Sequence, residues 1–540
     1  MAAVQAITVR GESQTYDESN QLLSGYSYLV TGHFTVALEQ PPLVKLLCAI
    51  PVAFLHPDPP PSRIALENPW PAGREFLYHN RVPADSMLMA GRCSAIAISA
   101  LLGVAIAVWA KLRFGPRVAL LAVLLYALDP NFLAHGRYIK NDVAAALAIF
   151  ATAMIWGAYL ARPSRGLLLL SGVALGLALT AKFSALVLPP AMLILYAIRR
   201  WQQRRGFGVA ACARLFGALG LIAFLVIVAV YGFQVRPLGE SGIFRRLWPA
   251  ASWAAGLPVP ALGFWRGLAD IGLKQTEAGL AGAYLLGRHS RFGWWYMSPV
   301  AFAVKTPLAD LALCALAAAI ASRRLWRARL RSLDFKWFQL VVPPAVYAAV
   351  SLLSHFNAGL RHLLPLYPFL FVFVAAVLLA EPVPRWRWAA VLAAAVLLAL
   401  ESAGVHPHYL AFFNALAGGP VGGQRFLVDS NLDWGQDVKH LKTYLDARRI
   451  PEISIRYFGM ADLEYYGIRH TELPPVPDPD AARSLDCVAA ISVTSLALER
   501  SRYAGLAALR PDARIGYSIN VYDLRKGRPN SGPPAPAIHP

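Results

Sequence analysis

Residues 16–45 read YDESNQLLSGYSYLVTGHFTVALEQPPLVK, and a long series of apolar runs follows them. The stretch opens on two adjacent acids, Asp17 and Glu18, and closes on Glu39, a glutamine, two prolines and Lys45. An acidic start is typical of an ordinary helix, because carboxylates complement the positive end of the helix dipole. Acids held at a membrane face favour a different interpretation, a site for chemistry on something that the membrane delivers. The rest of the chain decides between the two.

The composition is that of a membrane protein. The 540 residues are 57% hydrophobic with a mean hydropathy of +0.46, which is too apolar for a soluble enzyme. The net charge of +20 lies mostly in short gaps between apolar runs, as the positive-inside rule predicts, so we expect no nucleic-acid partner. Five cysteines form no CxxC pair, and neither a disulfide framework nor a zinc site is indicated.

Apolar runs of helical length follow residue 86 in quick succession. We predict ten membrane spans, near residues 87–110, 117–133, 142–161, 166–181, 184–199, 209–233, 296–321, 337–354, 363–380 and 386–403. The earlier run, Leu43 to Leu55, has about 13 residues, too few to cross a bilayer, and it fits a helix lying in the interface.

Basic residues concentrate in alternate loops, which the positive-inside rule places in the cytoplasm. The opposite side then holds the N-terminal region, the 134–141 connection, the 234–295 and 355–362 loops and everything after residue 404. Ten spans with both ends outside are consistent with this orientation. The basic residues are Lys111, Arg113, Arg117, Arg162, Arg165, Arg199, Arg200, Arg204, Arg205, Arg323, Arg324, Arg327, Arg329, Arg331, Lys336, Arg385 and Arg387.

The chain changes character after residue 403. Apolar runs shorten to strand length at 453–459, 487–495 and 515–524, with helical stretches between them, which predicts a small α/β domain. The last residues are proline-rich and predicted to be disordered. We therefore expect four parts: an external region at 1–86, a helical bundle at 87–403, an extracytoplasmic α/β domain at 404–525 and a tail at 526–540.

Six stretches, taken in order, resemble the polyprenyl-phosphate-dependent glycosyltransferases with the GT-C fold, the protein O-mannosyltransferase and aminoarabinose transferase superfamily, like those of glycosyltransferase family 39. The first is the Asp17 loop with its EQPPLVK end, which is similar to the family's first external loop. The others are LDPNFLAHGRYIKND (128–142), LTAKFSALVLPP (179–190), FGWWYMSPVAFAVKTPL (292–308), HFNAGLRHLLPLYPFL (355–370) and YLAFFNALAGGPVGGQRFLVDSNLDWGQDVKHL (409–441).

The resemblance implies a polytopic α-helical enzyme with a small extracytoplasmic α/β domain, in the plasma membrane and most simply a bacterial inner membrane. The family pattern has one more helix before the Asp17 loop. Either the bundle tolerates its loss or the coding start lies upstream of Met1, and we expect the second.

The resemblance also implies roles for particular residues. Asp17 would be the general base, with Glu18 orienting or replacing it. A base would accept the proton of an acceptor hydroxyl in a single, inverting displacement, while cations stabilise the departing lipid phosphate. The expected phosphate ligands are Arg137, Lys182 and Arg361, and the expected sugar or acceptor contacts are Glu39, Asp142 and His362.

Ordinary interpretations of the same residues stay open. An arginine near a helix end often extends to the headgroups, although Arg137 and Arg361 lie on the side that the positive-inside rule disfavours, and arginine suits bidentate phosphate binding. Lys182 could simply mark a tight turn between two helices, although an ionisable residue in an apolar stretch suggests a functional site. Glu39 is the candidate ligand if a divalent metal takes part; no cofactor is certain.

The 409–441 stretch carries four polar residues, Asp429, Asn431, Asp433 and Asp437, that would suit an acceptor-facing or cation-binding loop, although the spacing of an EF-hand is missing. The expected partners are the bilayer, a polyprenyl-phosphate sugar donor and a glycan, lipid or protein acceptor. Two other classes stay open: a secondary transporter, which would need repeat symmetry and a midplane site, and a membrane-anchored scaffold with an external binding domain.

Overall fold

The computed structural model describes residues 1–60, 68–247, 249–276, 283–327, 330–354, 359–380 and 383–525. The predicted disordered tail and the first four residues of the 355–370 motif lie outside these ranges.

Four helices form the N-terminal region. Helix α2 is buried from Glu18 to Tyr28, and Gly32 caps its end with a φ of 67°, a left-handed conformation that suits glycine. Gly25 lets α2 approach α3, because a Cβ atom there would lie 2.1 Å from the Lys45 carbonyl oxygen. The helices are α1 (Ala2–Thr8), α2 (Glu18–Thr31), α3 (Leu43–Ala53) and α4 (Pro69–Tyr78).

Seven further helices complete the first half of the bundle. A short 3-10 turn, Phe183–Val187, leads directly into the sixth of them. The helices are α5 (Ala84–Phe114), α6 (Pro116–Leu128), α7 (Pro130–His135), α8 (Asn141–Ala161), α9 (Arg165–Ala181), α10 (Leu188–Gln202) and α11 (Val209–Val230).

The long loop that follows contains two antiparallel strand pairs, β1 with β2 and β3 with β4. Its elements are β1 (Val235–Pro237), α12 (Gly242–Leu247), β2 (Pro258–Pro260), α13 (Leu262–Thr276), β3 (Ala283–Leu285) and β4 (Arg288–Ser290). The bundle then ends with α14 (Met297–Lys305), α15 (Leu308–Arg327), α16 (Phe335–Leu353), α17 (Tyr367–Leu379) and α18 (Arg385–Gly404), with a 3-10 segment, Gly359–Leu366, before α17.

The span count is lower than the ten predicted. Within the described residues, seven helices are long and apolar enough to cross a membrane, or eight if α14 and α15, bent by 112°, form one span. Helices α6 and α9 are shorter apolar helices. The predicted 117–133 span is broken because Asp129 ends α6 and its side chain accepts hydrogen bonds from the backbone of α7. The protein is thus a multi-pass membrane protein with fewer full-length spans.

The predicted C-terminal α/β domain is confirmed. Its five-stranded sheet has the order β6-β5-β7-β9-β8, with β5 parallel to β6 and β7, and β9 antiparallel to β7 and β8. Strand β7 is buried along its whole length, as its continuous apolar sequence requires. The elements are α19 (Gly419–Gly423), α20 (Val438–Ala447), β5 (Ile453–Arg456), β6 (His470–Glu472), α21 (Pro479–Ser484), β7 (Val488–Ser492), α22 (Val493–Leu498), α23 (Ala504–Ala507), β8 (Ala513–Ile515) and β9 (Ile519–Asp523).

Backbone hydrogen bonds join this domain to the segment that precedes α2. The Ser13 amide donates to the Gln436 carbonyl at 2.9 Å, and the Tyr16 amide donates to the Trp434 carbonyl at 2.8 Å. The Ser13 hydroxyl also donates to the Gly435 carbonyl at 3.0 Å. These bonds hold Asp17 beside the loop that begins at Asp429.

Candidate active site

Asp17 lies between two cations. Its Oδ2 atom contacts Nζ of Lys140, and Nη1 of Arg361 lies 3.2 Å from the same oxygen. The Arg361 guanidinium lies 4.7 Å from the centre of the Trp434 ring, and Lys140 lies 5.9 Å from it. Although Asp17 directly precedes α2, its side chain makes no capping hydrogen bond to that helix. The contacts of the carboxylate therefore disfavour a simple helix cap.

The charge of Asp17 is stabilised by its partners. Burial by itself would raise the pKa of this carboxyl, but Lys140 and Arg361 outweigh burial and hold its pKa below the ordinary value. A carboxylate paired closely with opposite charges keeps its ionised form. Asp17 is therefore ionised at neutral pH and can accept a proton.

Asp429 is a second carboxylate at this place. Burial and the negative charge of Asp17 raise its pKa to about 6, while Arg361 and Lys140 oppose that rise. Its φ of 56° is an uncommon backbone conformation for a residue other than glycine. The sequence analysis assigned Asp429 to an acceptor-facing or cation-binding loop, and only the docking of the C-terminal domain brings it to Asp17.

Glu18 has a different environment from its neighbour. Arg92 donates to both of its oxygens, from Nε at 2.9 Å and from Nη2 at 2.7 Å. The backbone amides of Thr15 and Ile139 also donate to it, at 2.8 and 3.1 Å. Glu18 is fully buried, and these four hydrogen bonds suit a residue that holds the loop in place.

We expect the Arg92→Ala variant to lose about 3–5 kcal/mol of folding free energy, because it leaves the Glu18 carboxylate buried and unpaired. The Arg74→Ala variant is the matched control. Arg74 pairs with Asp462 but has a side chain that is 48% exposed, so about 0–1 kcal/mol is expected. Chaotrope unfolding of the three detergent-purified proteins measures both changes. Equal losses in the two variants would contradict the prediction.

Arg137 also lies in a buried pair. Its guanidinium donates to Glu12 and to the Thr8 hydroxyl, and it lies 5.5 Å from the centre of the Tyr409 ring. The side chain is fully buried. The structure thus places this predicted phosphate ligand against the N-terminal segment, with both terminal nitrogens of its guanidinium already engaged.

Lys182 occupies the extended residue that ends α9, where its Nζ atom contacts Oδ1 of Asp142. It therefore does mark the turn between two helices, and it also carries a buried ion pair. The charge of Arg361 acts on Asp142 as well. The two ion pairs, Asp17 with Arg361 and Asp142 with Lys182, thus belong to one electrostatic cluster.

A cavity of about 250 Å³ adjoins the second pair and is lined by Glu39, Lys182 and His362. Apolar side chains form much of its remaining wall: Phe183, Leu186, Val187, Leu268, Ile271 and Val350. Lys45, the last residue of the opening stretch, holds the Glu39 turn by donating to the carbonyls of Ala37 and Gln40. The cavity therefore has a charged end and an apolar wall.

The structure brings six of the eight predicted residues into this cluster and its cavity: Asp17, Glu39, Asp142, Lys182, Arg361 and His362. Glu18 and Arg137 form separate buried pairs. Sequence reasoning gave no role at this site to Lys140 or Trp434. Lys140 stands within the 128–142 motif, two positions before Asp142, and its charge on the side predicted to be external was a usable signal.

The residues around Glu39 give no support for a metal there. In the part of the chain that the structure describes, one group of three side chains could hold a metal ion, and it consists of His408, Asp437 and His440. Glu39 instead shares its cavity with the cationic Lys182, which is an unfavourable neighbour for a metal cation.

Comparison with known proteins gives one family match. The family model described as dolichyl-phosphate-mannose-protein mannosyltransferase matches residues 14–236. That region contains the Asp17 loop, the 128–142 motif and Lys182. No match was found among curated proteins.

Two solved structures resemble the chain at low sequence identity. ArnT from Cupriavidus metallidurans, bound to undecaprenyl phosphate, is 13% identical with a TM-score of 0.46, over 97% of this chain and 96% of its own. The archaeal oligosaccharyltransferase AglB from Archaeoglobus fulgidus, in complex with an inhibitory peptide and a dolichol-phosphate, is 12% identical with a TM-score of 0.40, over 74% of this chain and 55% of its own.

The family match covers residues 14–236, less than half of the chain. Together with the ordered motifs it supports a glycosyltransferase of the GT-C type that depends on polyprenyl phosphate.

Proposed function

We propose that this chain transfers a monosaccharide from a polyprenyl-phosphate carrier to a hydroxyl acceptor at the outer face of the membrane. The observation that carries the proposal is the clustering of Lys140, Arg361 and Lys182 around Asp17 and Asp142, next to a cavity with an apolar wall. A site that binds a lipid phosphate needs cations that neutralise the phosphate charge and an apolar surface that contacts the lipid chain.

The cavity suggests how the donor lies. The phosphate would occupy the end at Lys182 and His362, and the first isoprene units would follow the wall that includes Phe183 and Leu186. Lys182 and Arg361 are held by carboxylates here. A phosphate that arrives between them would share these cations, and its sugar would lie so that the acceptor beside Asp17 attacks the face of the anomeric carbon opposite to the phosphate oxygen.

The chemical step follows from this arrangement. The acceptor oxygen attacks the anomeric carbon, its proton passes to Asp17, and the bond from the anomeric carbon to the phosphate oxygen breaks with its electron pair remaining on the phosphate. Lys182 and Arg361 stabilise the departing charge. Attack opposite to the leaving group inverts the anomeric configuration. Asp142, Glu39 and His362 would contact the sugar or the acceptor.

Glu18 and Arg137 take positioning roles in this proposal. Each is fully buried in an ion pair that ties residues 9–18 to the bundle. Loss of either would misplace Asp17, because the same short segment carries all these contacts. They are not expected to touch the donor.

The test is sugar transfer by the purified chain. Detergent-solubilised protein is incubated with radiolabelled polyprenyl-phosphate sugars and an extract of envelope acceptors, with Asp17→Asn as the matched control. Release of lipid phosphate with label in an acceptor, absent in the control, is the expected result. A protein that binds the labelled donors but transfers none would support a transporter or a scaffold instead.

We further propose that the chain lies in a bacterial inner membrane with its site and its C-terminal domain outside, and that the acceptor is a glycan, lipid or protein. A cysteine at the exposed Asp480 should react with an impermeant maleimide on intact cells. A cysteine at the exposed Gln203 should react only after permeabilisation. The background carries serine at Cys93 and Cys487. The reverse labelling pattern would overturn the orientation.

A further inference from the structure

Three potential metal ligands meet where the last span leaves the membrane. His408 follows α18, Asp437 directly precedes α20, and His440 lies on the first turn of α20. The Nδ1 atoms of His440 and His408 lie 2.8 and 3.6 Å from Oδ1 of Asp437. One ligand atom from each residue lies within 4.8 Å of the others. All three side chains are largely buried.

These distances fit a small transition-metal ion. Zinc binds histidine nitrogen and carboxylate oxygen at roughly 2.0–2.2 Å in a tetrahedron, which separates neighbouring ligand atoms by about 3.3 Å. The observed separations of 2.8 and 3.6 Å lie on either side of that value. Small side-chain shifts would therefore open a site, and two imidazoles with one carboxylate are donors that zinc prefers.

Two hydrogen bonds hold the Asp437 carboxylate in position. The other oxygen of Asp437 accepts hydrogen bonds from the Ser518 hydroxyl at 2.6 Å and from the Gln436 amide at 2.8 Å. Outer hydrogen bonds of this kind orient metal ligands. Asp437 is thus held from the external domain while its Oδ1 atom faces both histidines.

A fourth ligand position also has a candidate. Glu12 follows Gly11, where a Cβ atom would lie 3.2 Å from Nε2 of His440, and Glu12 Oε2 is buried with no hydrogen-bond partner in the part of the chain that the structure describes. A buried carboxylate oxygen without a partner is unfavourable unless something else satisfies it. A bound cation nearby would do so.

We propose that His408, Asp437 and His440 bind one zinc-class divalent ion, with Glu12 or water as the fourth ligand. The ion would fasten the exit of the last span to the external domain and to the segment that leads to Asp17. Its three ligands are not residues of the sugar-transfer cluster, and the proposal does not depend on the proposed function.

The test measures metal binding by the purified full chain. Chelator-treated protein is titrated with Zn²⁺ against a competing chelator, and Co²⁺ replaces zinc as a spectroscopic probe of the ligand set. We expect one tightly held ion per chain and a Co²⁺ spectrum of four-coordinate type. His440→Gln should weaken the affinity for zinc by more than about 100-fold, since even the loss of a residue that only hydrogen-bonds to a metal ligand costs about 10–100-fold. Zinc should also raise the unfolding temperature of the unaltered protein.

His470→Gln is the matched control, because this histidine lies on β6 of the same domain and outside the cluster; its zinc affinity should be unchanged. If His440→Gln does not fold, Ser518→Ala replaces it, and a loss of about 10-fold is expected. An unaltered protein that holds no stoichiometric zinc would overturn the proposal, as would equal affinity in the His440 or Ser518 variant. The cluster would then be a hydrogen-bonded network without metal.

Discussion

Asp17→Asn is expected to lower turnover by about 10²–10⁴-fold, near the upper end, because loss of a general base has that effect and the nucleophile is a poorly acidic hydroxyl. Asparagine keeps the shape of the side chain but cannot take the proton. Donor binding should survive, since Lys182 and the apolar wall lie on other segments. Single-turnover rates and donor binding measured on the same protein separate the two effects.

The structure suggests further variants to compare with Asp17→Asn. Glu18→Gln alters a carboxylate that four hydrogen bonds already engage, so its effect should appear in stability. Asp429→Asn removes the carboxylate whose charge couples to Asp17. Near-normal turnover in Asp17→Asn, or in the Asp17→Asn/Glu18→Gln double variant, would end the proposal that this loop carries the base.

The pH profile tests whether Asp429 contributes. Its pKa is raised to about 6 by burial, so the group is protonated below that pH and ionised above it. If its ionised form assists the reaction, activity rises as the pH rises through about 6, and Asp429→Asn abolishes that inflection. An unchanged profile in Asp429→Asn would assign the residue to structure alone.

The variant Arg361→Ala is also expected to lower activity strongly. We expect a loss of about 1.5–3 kcal/mol of transition-state stabilisation, roughly one to two decades in kcat/KM, because a charge-assisted contact to the departing phosphate disappears. Arg361→Lys should recover only part of this, since a point charge cannot reproduce the guanidinium fork or its stacking on Trp434. Kinetics at limiting donor measure all three proteins.

Arg137→Ala is the control variant for comparison with Arg361→Ala. From sequence alone, both arginines were expected to bind phosphate. Because Arg137 is buried against Glu12, its loss should lower the free energy of unfolding by about 3–5 kcal/mol and affect donor use less. Normal donor use in Arg361→Ala would remove this residue from the proposed phosphate site. Loss of donor use without loss of stability in Arg137→Ala would return Arg137 to that site.

The amino-acid sequence by itself determined the class of the molecule. Apolar run length and the charge of the loops are local properties, and they predicted a polytopic helical protein with a small external α/β domain. The ordered motifs predicted the glycosyltransferase class for the same reason, since each motif lies within a short stretch. One part of the overestimated span count also has a local cause, the Asp129-Pro130 pair that divides the 117–133 apolar run.

Only the tertiary structure decided which charged groups act together. Asp17 meets Arg361 across 344 positions of sequence, and Glu18 meets Arg92 across 74, so adjacent acids acquire different partners. Glu18, the first residue of α2, forms a buried ion pair with Arg92. Asp17, which directly precedes α2, instead contacts Lys140 and Arg361. Ion pairing depends on distance in space and on burial, and neither is encoded in the local pattern around a residue.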